Sequence, residues 1–204
     1  MSERSCLAIV LAAGEGTRMR SRLPKVLHEI GSRPMVAHAI ATARAAGATH
    51  TALVVGPNME MVSRVGATAG AQEVFVQDER LGTAHAVLRA RAAIERGGDD
   101  VIVLYGDTPL VAPATIGRVR DALAGGADVV VLGFRASDPT GYGRLLTEDG
   151  RLVAIREEKD ASPAERAVDF CNSGIQALTL LDAVGNANTK GEYYLTDVVE
   201  IATA

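Results

Sequence analysis

Short apolar stretches alternate with segments of helical periodicity through the first 124 residues. The apolar stretches predict strands at 6–11, 51–55, 73–77 and 101–105, and the periodic segments predict helices at 34–46, 58–69, 83–95 and 113–124, the second of them capped by Asn58. Apolar strands that alternate with helices are typical of a parallel sheet with helices on both sides. In such a sheet, binding groups lie at the carboxyl ends of the strands.

The pattern changes after residue 127. The sequence predicts a strand at 128–134, a hairpin of 144–147 and 151–155 around a turn at 148–150, a short helix with a capping box at Ser162, a strand at 168–177, and a strand-like entry into a last helix over 192–202. These segments add antiparallel strands to the parallel core. The predicted fold class is therefore α/β, a Rossmann-like and mostly parallel sheet with added antiparallel strands, in a single domain over 1–204.

The first strand leads into a loop that is suited to an anion. Gly14 and Gly16 allow main-chain N–H groups to approach a phosphate, and Arg18 and Lys25 add two positive charges. The loop is not a P-loop, which has Gly-Lys-Ser/Thr after its last glycine. Met19 replaces the third glycine of the G-x-G-x-x-G fingerprint, which disfavours an NAD-binding domain.

Two further groups of residues are expected at the same edge of the sheet. Asp107 follows the strand at 101–105, and because no adjacent Lys or Arg pairs with it, its carboxylate suits a magnesium ion that also binds substrate phosphates. The alternative is that Asp107 only begins a turn. Gln77 and the pair Gly82 and Thr83 fit a pocket that reads the donor and acceptor edge of a pyrimidine base.

Composition excludes several classes of function. The net charge of −4 argues against a nucleic-acid binder, which needs a basic face. Cys6 and Cys171 are far apart and lack metal-ligand spacing, so we expect two buried thiols rather than a disulfide or a zinc site. No apolar run approaches the roughly 18 residues that span a bilayer. The sequence therefore predicts a cytoplasmic protein with no membrane partner.

The opening loop, without a gap from residue 11 to residue 25, resembles the signature of the sugar-nucleotidyltransferases. Further motifs resemble, in the same order, those of the bacterial N-acetylglucosamine-1-phosphate uridyltransferase domain, and they lie at 77–86, 104–110, 138–144, 157–160, 172–174 and 191–197. Together these motifs span nearly the whole chain. The first loop alone would indicate only a nucleotidyltransferase of unknown base.

The resemblance implies a role for each matching residue. It implies that the uridine part is held by Leu11, Ala12, Gly14, Gly16, Gln77, Gly82 and Thr83, that Arg18 and Lys25 bind the triphosphate as the catalytic residues, that Asp107 holds Mg²⁺, and that the sugar phosphate is held by Tyr105, Gly143, Glu157, Asn172 and Thr196.

The implied reaction joins UTP and N-acetylglucosamine 1-phosphate into UDP-N-acetylglucosamine and pyrophosphate, for cell-wall and lipopolysaccharide precursors. The alternatives are a related nucleotidyltransferase with another base or sugar, and a fragment that binds a UDP-sugar without turnover. The family usually carries a second magnesium ligand, an asparagine beyond Asp197, and a C-terminal left-handed β-helix for acetyl transfer and trimerisation. Neither occurs within 1–204, so we expect oligomers only through that further domain.

Overall fold

In the part of the chain that the structure describes, the central sheet has eight strands, half of them parallel. The computed structural model describes residues 4–16, 19–178 and 194–203, and of Ile201 only the backbone. The strands are β1 (Cys6–Ala12), β2 (Glu29–Ile30), β3 (Arg33–Pro34), β4 (His50–Val55), β5 (Glu73–Val76), β6 (Asp100–Tyr105), β7 (Val129–Arg135), β8 (Arg144–Glu148), β9 (Arg151–Arg156) and β10 (Phe170–Leu178); β2 and β3 form a separate small sheet.

The helices follow the order of the predicted elements. They are α1 (Met35–Ala45), α2 (Glu60–Ala69), α3 (Thr83–Arg89), α4 (Arg91–Glu95), α5 (Pro113–Ala124), α6 (Pro163–Arg166) and α7 (Val198–Thr203), with 3₁₀ turns at Lys25–Leu27 and Leu195–Asp197. None of the helices formed by the described residues combines the length and the apolar character that crossing a bilayer requires.

The order of strands across the large sheet is β5-β4-β1-β6-β10-β8-β9, and β7 also pairs with β10. The strands β5, β4, β1 and β6 are parallel, and β10, β7, β8 and β9 join by antiparallel pairing. On β1, Ile9 lies opposite Ala52 of β4 and Val103 of β6. The mixed α/β fold that the sequence predicts is therefore confirmed, and β1 lies in the middle of its parallel half.

Alternation along β1 divides the core between the two faces of the sheet. Leu7, Ile9 and Leu11 pack with apolar residues of α3, α4 and α7 on one face. On the other face, Val10 packs with residues of α1 and α2, and Ala8 packs with residues of α5. Because β1 buries side chains on both faces, it reads as a continuous apolar run.

Two local predictions are wrong. Asn58 does not cap α2: its φ is +57°, and the helix begins after Met59 without a side-chain cap. An asparagine in the left-handed region is common in turns, and this one follows Gly56 and Pro57. The helix predicted at 83–95 divides at Ala90, whose N–H donates to Val87 O at 3.0 Å in a tightened turn that leaves this residue fully buried.

Other local predictions are confirmed. The hairpin turn between β8 and β9 has Asp149 and Gly150 at positive φ, Ser162 caps α6 in a complete capping box, and Pro113 lies in the first turn of α5. Both cysteines are free and buried, and burial raises the pKa of the Cys6 thiol to about 11. The last helix begins with a 3₁₀ turn, and residues 192–193 of its predicted strand-like entry lie outside the described residues.

A bulge in β10 brings the antiparallel strands against the end of β6. The pairing of β10 with β7 shifts register between Asn172 and Gln176, and Gly174 in between has a φ of +87°. A Cβ atom at Gly174 would lie 2.7 Å from the Tyr105 ring. Only glycine therefore allows the main chain to press against this ring.

Arg144, at the start of β8, is a buried cation that holds the loop before it. Its side chain is 1% exposed; it donates to the carbonyl oxygens of Tyr142 and Arg166 and lies 2.6 Å from the Glu158 carboxylate. Glu158 also accepts from the N–H of Gly141 at 3.3 Å. The hydrogen bond from Arg144 holds the pKa of Glu158 below its usual range.

We expect Arg144→Ala to lower the free energy of unfolding by about 2 kcal/mol, because it removes a buried side chain together with the hydrogen bonds that it donates to the carbonyl oxygens of Tyr142 and Arg166 and to the Glu158 carboxylate. Urea unfolding followed by circular dichroism measures the change. The control is Arg64→Ala on the exposed face of α2, which should change stability by less than about 0.5 kcal/mol. Equal losses in the two variants would contradict the buried role of Arg144.

Candidate active site

A cleft of about 620 Å³ lies at the carboxyl ends of the parallel strands. Its lining comes from the loops after β1, β5 and β6, from the start of α3, from the antiparallel strands and the loops beside them, and from the last 3₁₀ turn: Leu11, Ala12, Ala13, Gly14, Gly16, Val26, Gln77, Arg80, Gly82, Thr83, Ala86, Tyr105, Asp107, Gly141, Glu157, Glu158, Lys159, Asn172, Tyr194 and Thr196. Most of the lining is apolar or main chain, and Arg80 and Lys159 are the cations of the lining that can attract an anion.

Lys25 and Asp107 form an ion pair at the edge of this cleft. The ammonium Nζ of Lys25 lies 2.6 Å from Oδ2 of Asp107, which lines the cleft, whereas Lys25 itself is not among the lining residues. The loops that carry them follow adjacent strands, since Leu11 of β1 lies opposite Tyr105 of β6. No Lys or Arg adjacent to Asp107 in sequence pairs with it; its cationic partner comes from the opening loop, at the sheet edge where both residues were expected.

Gly16 is the residue that lets the opening loop close on Lys25. Its φ is +63°, and a Cβ atom there would lie 2.5 Å from Lys25 Cβ. Both observations require glycine. Arg18, the other predicted cation of the loop, lies outside the described residues.

Asp107 is the carboxylate that best fits a metal ion at this edge. Its side chain is 29% exposed and lines the cleft. Within residues 4–16, 19–178 and 194–203, no group of three or more His, Cys, Asp or Glu side chains could enclose a metal on its own. One carboxylate beside a phosphate site suits Mg²⁺, which keeps water and substrate phosphates among its ligands.

Gln77 is a buried amide whose donors are already used. Its side chain is 4% exposed, and Nε2 lies 3.1 Å from Gly82 O and 3.2 Å from His85 Nδ1. Gly82, with a φ of +105°, begins α3. Because these contacts use the N–H groups of the amide, Oε1 is the polar atom of Gln77 that can accept from a ligand in the cleft.

Tyr105 lines the cleft and is hydrogen-bonded to the start of α3. Its hydroxyl is hydrogen-bonded to Thr83, and burial together with the negative charge of Glu157 raises the pKa of Tyr105 to about 12. Thr83 Oγ1 in turn accepts from the N–H of Leu195 at 3.0 Å. The next residue, Thr196, is 5% exposed, and its buried hydroxyl oxygen lacks a hydrogen-bond partner among the described atoms. A ligand could supply that partner.

The antiparallel strands supply the other wall. Asn172 Oδ1 accepts from the N–H of Gly174 at 2.9 Å, and the Asn172 N–H donates to Gly143 O at 2.8 Å. Glu157 and Asn172 both line the cleft, whereas Gly143 lies behind it, where a Cβ atom would be 3.4 Å from Glu157 Oε1. The structure thus places Gly143 as a support for Glu157 rather than as part of the lining.

Sequence reasoning did not assign a role to several lining residues. They are Val26, Arg80, Ala86, Gly141, Glu158, Lys159 and Tyr194. Arg80 is the most informative, since it lies between Gln77 and Gly82 and carries a charge. Its position in the loop that the sequence assigns to the base is the signal that could have identified Arg80 as a lining residue.

The chain is similar in sequence to known proteins over most of its length. Residues 8–167 match the model of the MobA-like NTP transferase domain family. The whole chain is 63% identical, over 214 aligned residues, to a bifunctional protein GlmU of Azorhizobium caulinodans and 62% identical to that of Xanthobacter autotrophicus. In both cases the alignment covers 47% of the relative, so the chain spans about half the length of these curated relatives.

Solved structures show the same fold. A UDP-glucose pyrophosphorylase complexed with UDP-glucose has a TM-score of 0.78 at 19% identity, covering 98% of this chain and 87% of that one. A putative glucose-1-phosphate thymidylyltransferase from Bacillus anthracis has a TM-score of 0.71 at 23% identity, covering 85% of this chain and 71% of that one.

Because its pKa is raised, we expect the Tyr105 hydroxyl to lose its proton at a higher pH than an ordinary tyrosine does. The unfolded chain loses this proton near pH 10 and the folded chain near pH 12, so the contribution to stability is complete below about pH 10 and is lost as the pH rises to about 12. The difference in absorbance at 295 nm between wild type and Tyr105→Phe should have its midpoint at about 12. A midpoint near 10 in the folded protein would contradict the buried hydroxyl.

Proposed function

The chain belongs to the MobA-like NTP transferase domain family, and we propose that it transfers UMP from UTP to N-acetylglucosamine 1-phosphate, giving UDP-N-acetylglucosamine and pyrophosphate. The observation that carries the proposal is the convergence of Lys25 and Asp107 at a cleft with a buried amide on one wall and Glu157 and Asn172 on the other. The similarity to bifunctional GlmU proteins over the whole chain supports it.

The base binds between Gln77 and the start of α3. Uracil presents an N–H between two carbonyl groups, and Gln77 Oε1 accepts from this N–H while the main chain at Gly82 and Thr83 meets a carbonyl oxygen. Cytosine has an acceptor at the same ring position and leaves Gln77 without a donor. Ala12 and Ala13 leave room for the flat ring because their side chains are small, and Gly14 and Gly16 approach the ribose and phosphates.

The triphosphate binds across the pair of Lys25 and Asp107. Lys25 exchanges its carboxylate partner for phosphate oxygens, and Arg18 is proposed as the second cation of the loop. Asp107 is the residue that would hold Mg²⁺ once Lys25 binds phosphate. The metal would supply positive charge that offsets the repulsion between the two anionic substrates and polarises the α-phosphate.

The sugar phosphate binds against the antiparallel wall. Glu157 and Asn172 offer an acceptor and an amide to the hydroxyl and acetamido groups, with Tyr105 and Thr196 close by. Gly143 acts from behind by leaving space for the Glu157 side chain. A sugar with a different group in place of the acetamido group loses the contact that this group makes.

The mechanism follows from charge and position. A sugar 1-phosphate has a second pKa of about 6, so at neutral pH its oxygen is a nucleophile that needs no general base. This oxygen forms a bond to the α-phosphorus of UTP, the bond from that phosphorus to the bridging oxygen breaks, and pyrophosphate leaves with the electron pair. Lys25 neutralises the charge that develops on the leaving group, and the two walls hold the reactants in line.

The direct test is pyrophosphate release from UTP and N-acetylglucosamine 1-phosphate, with and without Mg²⁺, against a panel of other nucleoside triphosphates and sugar phosphates. Release that requires UTP, the N-acetylated sugar and the metal supports the proposal. A preference for another base or sugar identifies a related nucleotidyltransferase. Calorimetric binding of UDP-N-acetylglucosamine without any turnover identifies a binding fragment.

We expect Lys25→Ala to lower kcat/KM by about 100-fold, because it removes a charge that stabilises the transition state. The melting temperature should change by only a few degrees, since the ion pair of Lys25 is partly exposed and such pairs contribute little to stability. The control is Arg118→Ala on the exposed side of α5. If Lys25→Ala loses stability in proportion to its activity, its role is structural.

We expect Gln77→Ala to lower kcat/KM for UTP by about 30-fold and to leave the poor rate with CTP nearly unchanged, because the variant loses an acceptor that only uracil uses. Parallel assays with UTP and CTP measure the ratio. Equal losses with both nucleotides would show that Gln77 supports the loop without reading the base.

A further inference from the structure

Arg80 makes contacts that neither the motifs nor the proposed reaction assigns. Its Nη1 lies 2.7 Å from Glu15 Oε1, and its Nε donates to Ala13 O at 3.4 Å. The side chain therefore leaves the loop after β5 and ends on the loop after β1. It also lines the cleft.

The two loops are not neighbours in the sheet. Because β4 lies between β5 and β1, and strands are spaced about 4.8 Å apart, the loops are separated by roughly 10 Å, which only a long side chain spans. The path over the end of β4 is open because residue 56 is glycine. A Cβ atom there would lie 3.1 Å from Ala13 O and 3.4 Å from the Arg80 Nη2.

The contacts of Arg80 flank Gly14. Ala13 and Glu15 lie on either side of it. Packing does not hold Gly14 itself, because a Cβ atom at this position would have no other atom within 4 Å. A glycine loop loses much conformational freedom when it orders around a ligand. Fixing both flanking residues in the free protein lowers that cost before the nucleotide arrives.

We propose that Arg80 is a positioning residue. From the loop after β5 it holds the loop after β1 in place, and this brace orders the nucleotide site before the nucleotide binds. The inference rests on the proposed function. It predicts an effect on nucleotide binding and little effect on the sugar phosphate, whose wall Arg80 does not touch. Arg80 and Glu15 are both largely exposed, at 45% and 55%, so the brace contributes little to global stability.

Arg91 provides the control. It is half exposed and pairs with Glu95 one turn along α4, with its Nη1 3.7 Å from the Glu95 carboxylate. Neither residue is part of the cleft lining, and neither lies next to a residue to which we assign a role in binding. A general effect of removing a surface arginine that forms an ion pair appears in both variants, whereas an effect on the nucleotide site appears only at Arg80.

The experiment is calorimetric titration of the full chain with UDP. We expect Arg80→Ala to weaken UDP binding by about tenfold and Glu15→Gln to weaken it several-fold. The double variant should bind no more weakly than Arg80→Ala, and Arg91→Ala should stay within about twofold of wild type. Arg80→Lys should recover part of the loss, because a lysine can pair with Glu15 but cannot also reach Ala13 O as the guanidinium does. Steady-state kinetics should show a higher KM for UTP, with kcat and the KM for the sugar phosphate within about twofold of wild type.

Different results would contradict the proposed function and the role of Arg80. A wild-type chain that binds no UDP overturns both the function and the brace. Wild-type binding that Arg80→Ala leaves unchanged overturns only the brace. Weaker binding in Arg80→Ala with normal or tighter binding in Glu15→Gln would also overturn it, because Arg80 would then act by touching the nucleotide directly.

Discussion

The ion pair between Lys25 and Asp107 is the interaction on which the rest of the site depends. Its 2.6 Å separation joins residues 82 positions apart in sequence, and it exists because β1 and β6 are adjacent parallel strands whose carboxyl ends meet. In the free protein the pair balances two charges in a cleft that is otherwise mostly apolar. In the proposed complex, phosphate oxygens would replace Asp107 as the partner of Lys25, and Asp107 would hold the metal ion.

The antiparallel strands give this edge of the sheet its second wall and so complete the cleft. The bulge of β10 at Gly174 places main chain against the Tyr105 ring, and the same strand carries Asn172 to the cleft. Thr83 links Tyr105 to the chain at Leu195, so the end of β6, the start of α3 and the last 3₁₀ turn share one set of hydrogen bonds.

Periodicity predicted the parallel half of the fold well, because each strand there is buried on both faces and each helix has one apolar side. It failed where tertiary packing decided the outcome, as at Ala90, and where a turn residue took a left-handed conformation, as at Asn58. Motif positions indicated residues that the structure brings to one cleft, but spacing alone could not show that Lys25 pairs with Asp107. The reach of Arg80 across β4 also depends on strand order, which a loop sequence does not contain.

The central claim is that a single uridine nucleotide lies with its phosphates where Lys25 and Asp107 now meet. A crystal structure of the chain with UDP-N-acetylglucosamine and Mg²⁺ tests it most directly. The account predicts uracil against Gln77 and Gly82, the sugar against Glu157 and Asn172, and Lys25 Nζ moved from Asp107 to a phosphate oxygen. A nucleotide bound outside this cleft, or one bound within it while the ion pair stays intact and remote from the phosphates, would contradict the account.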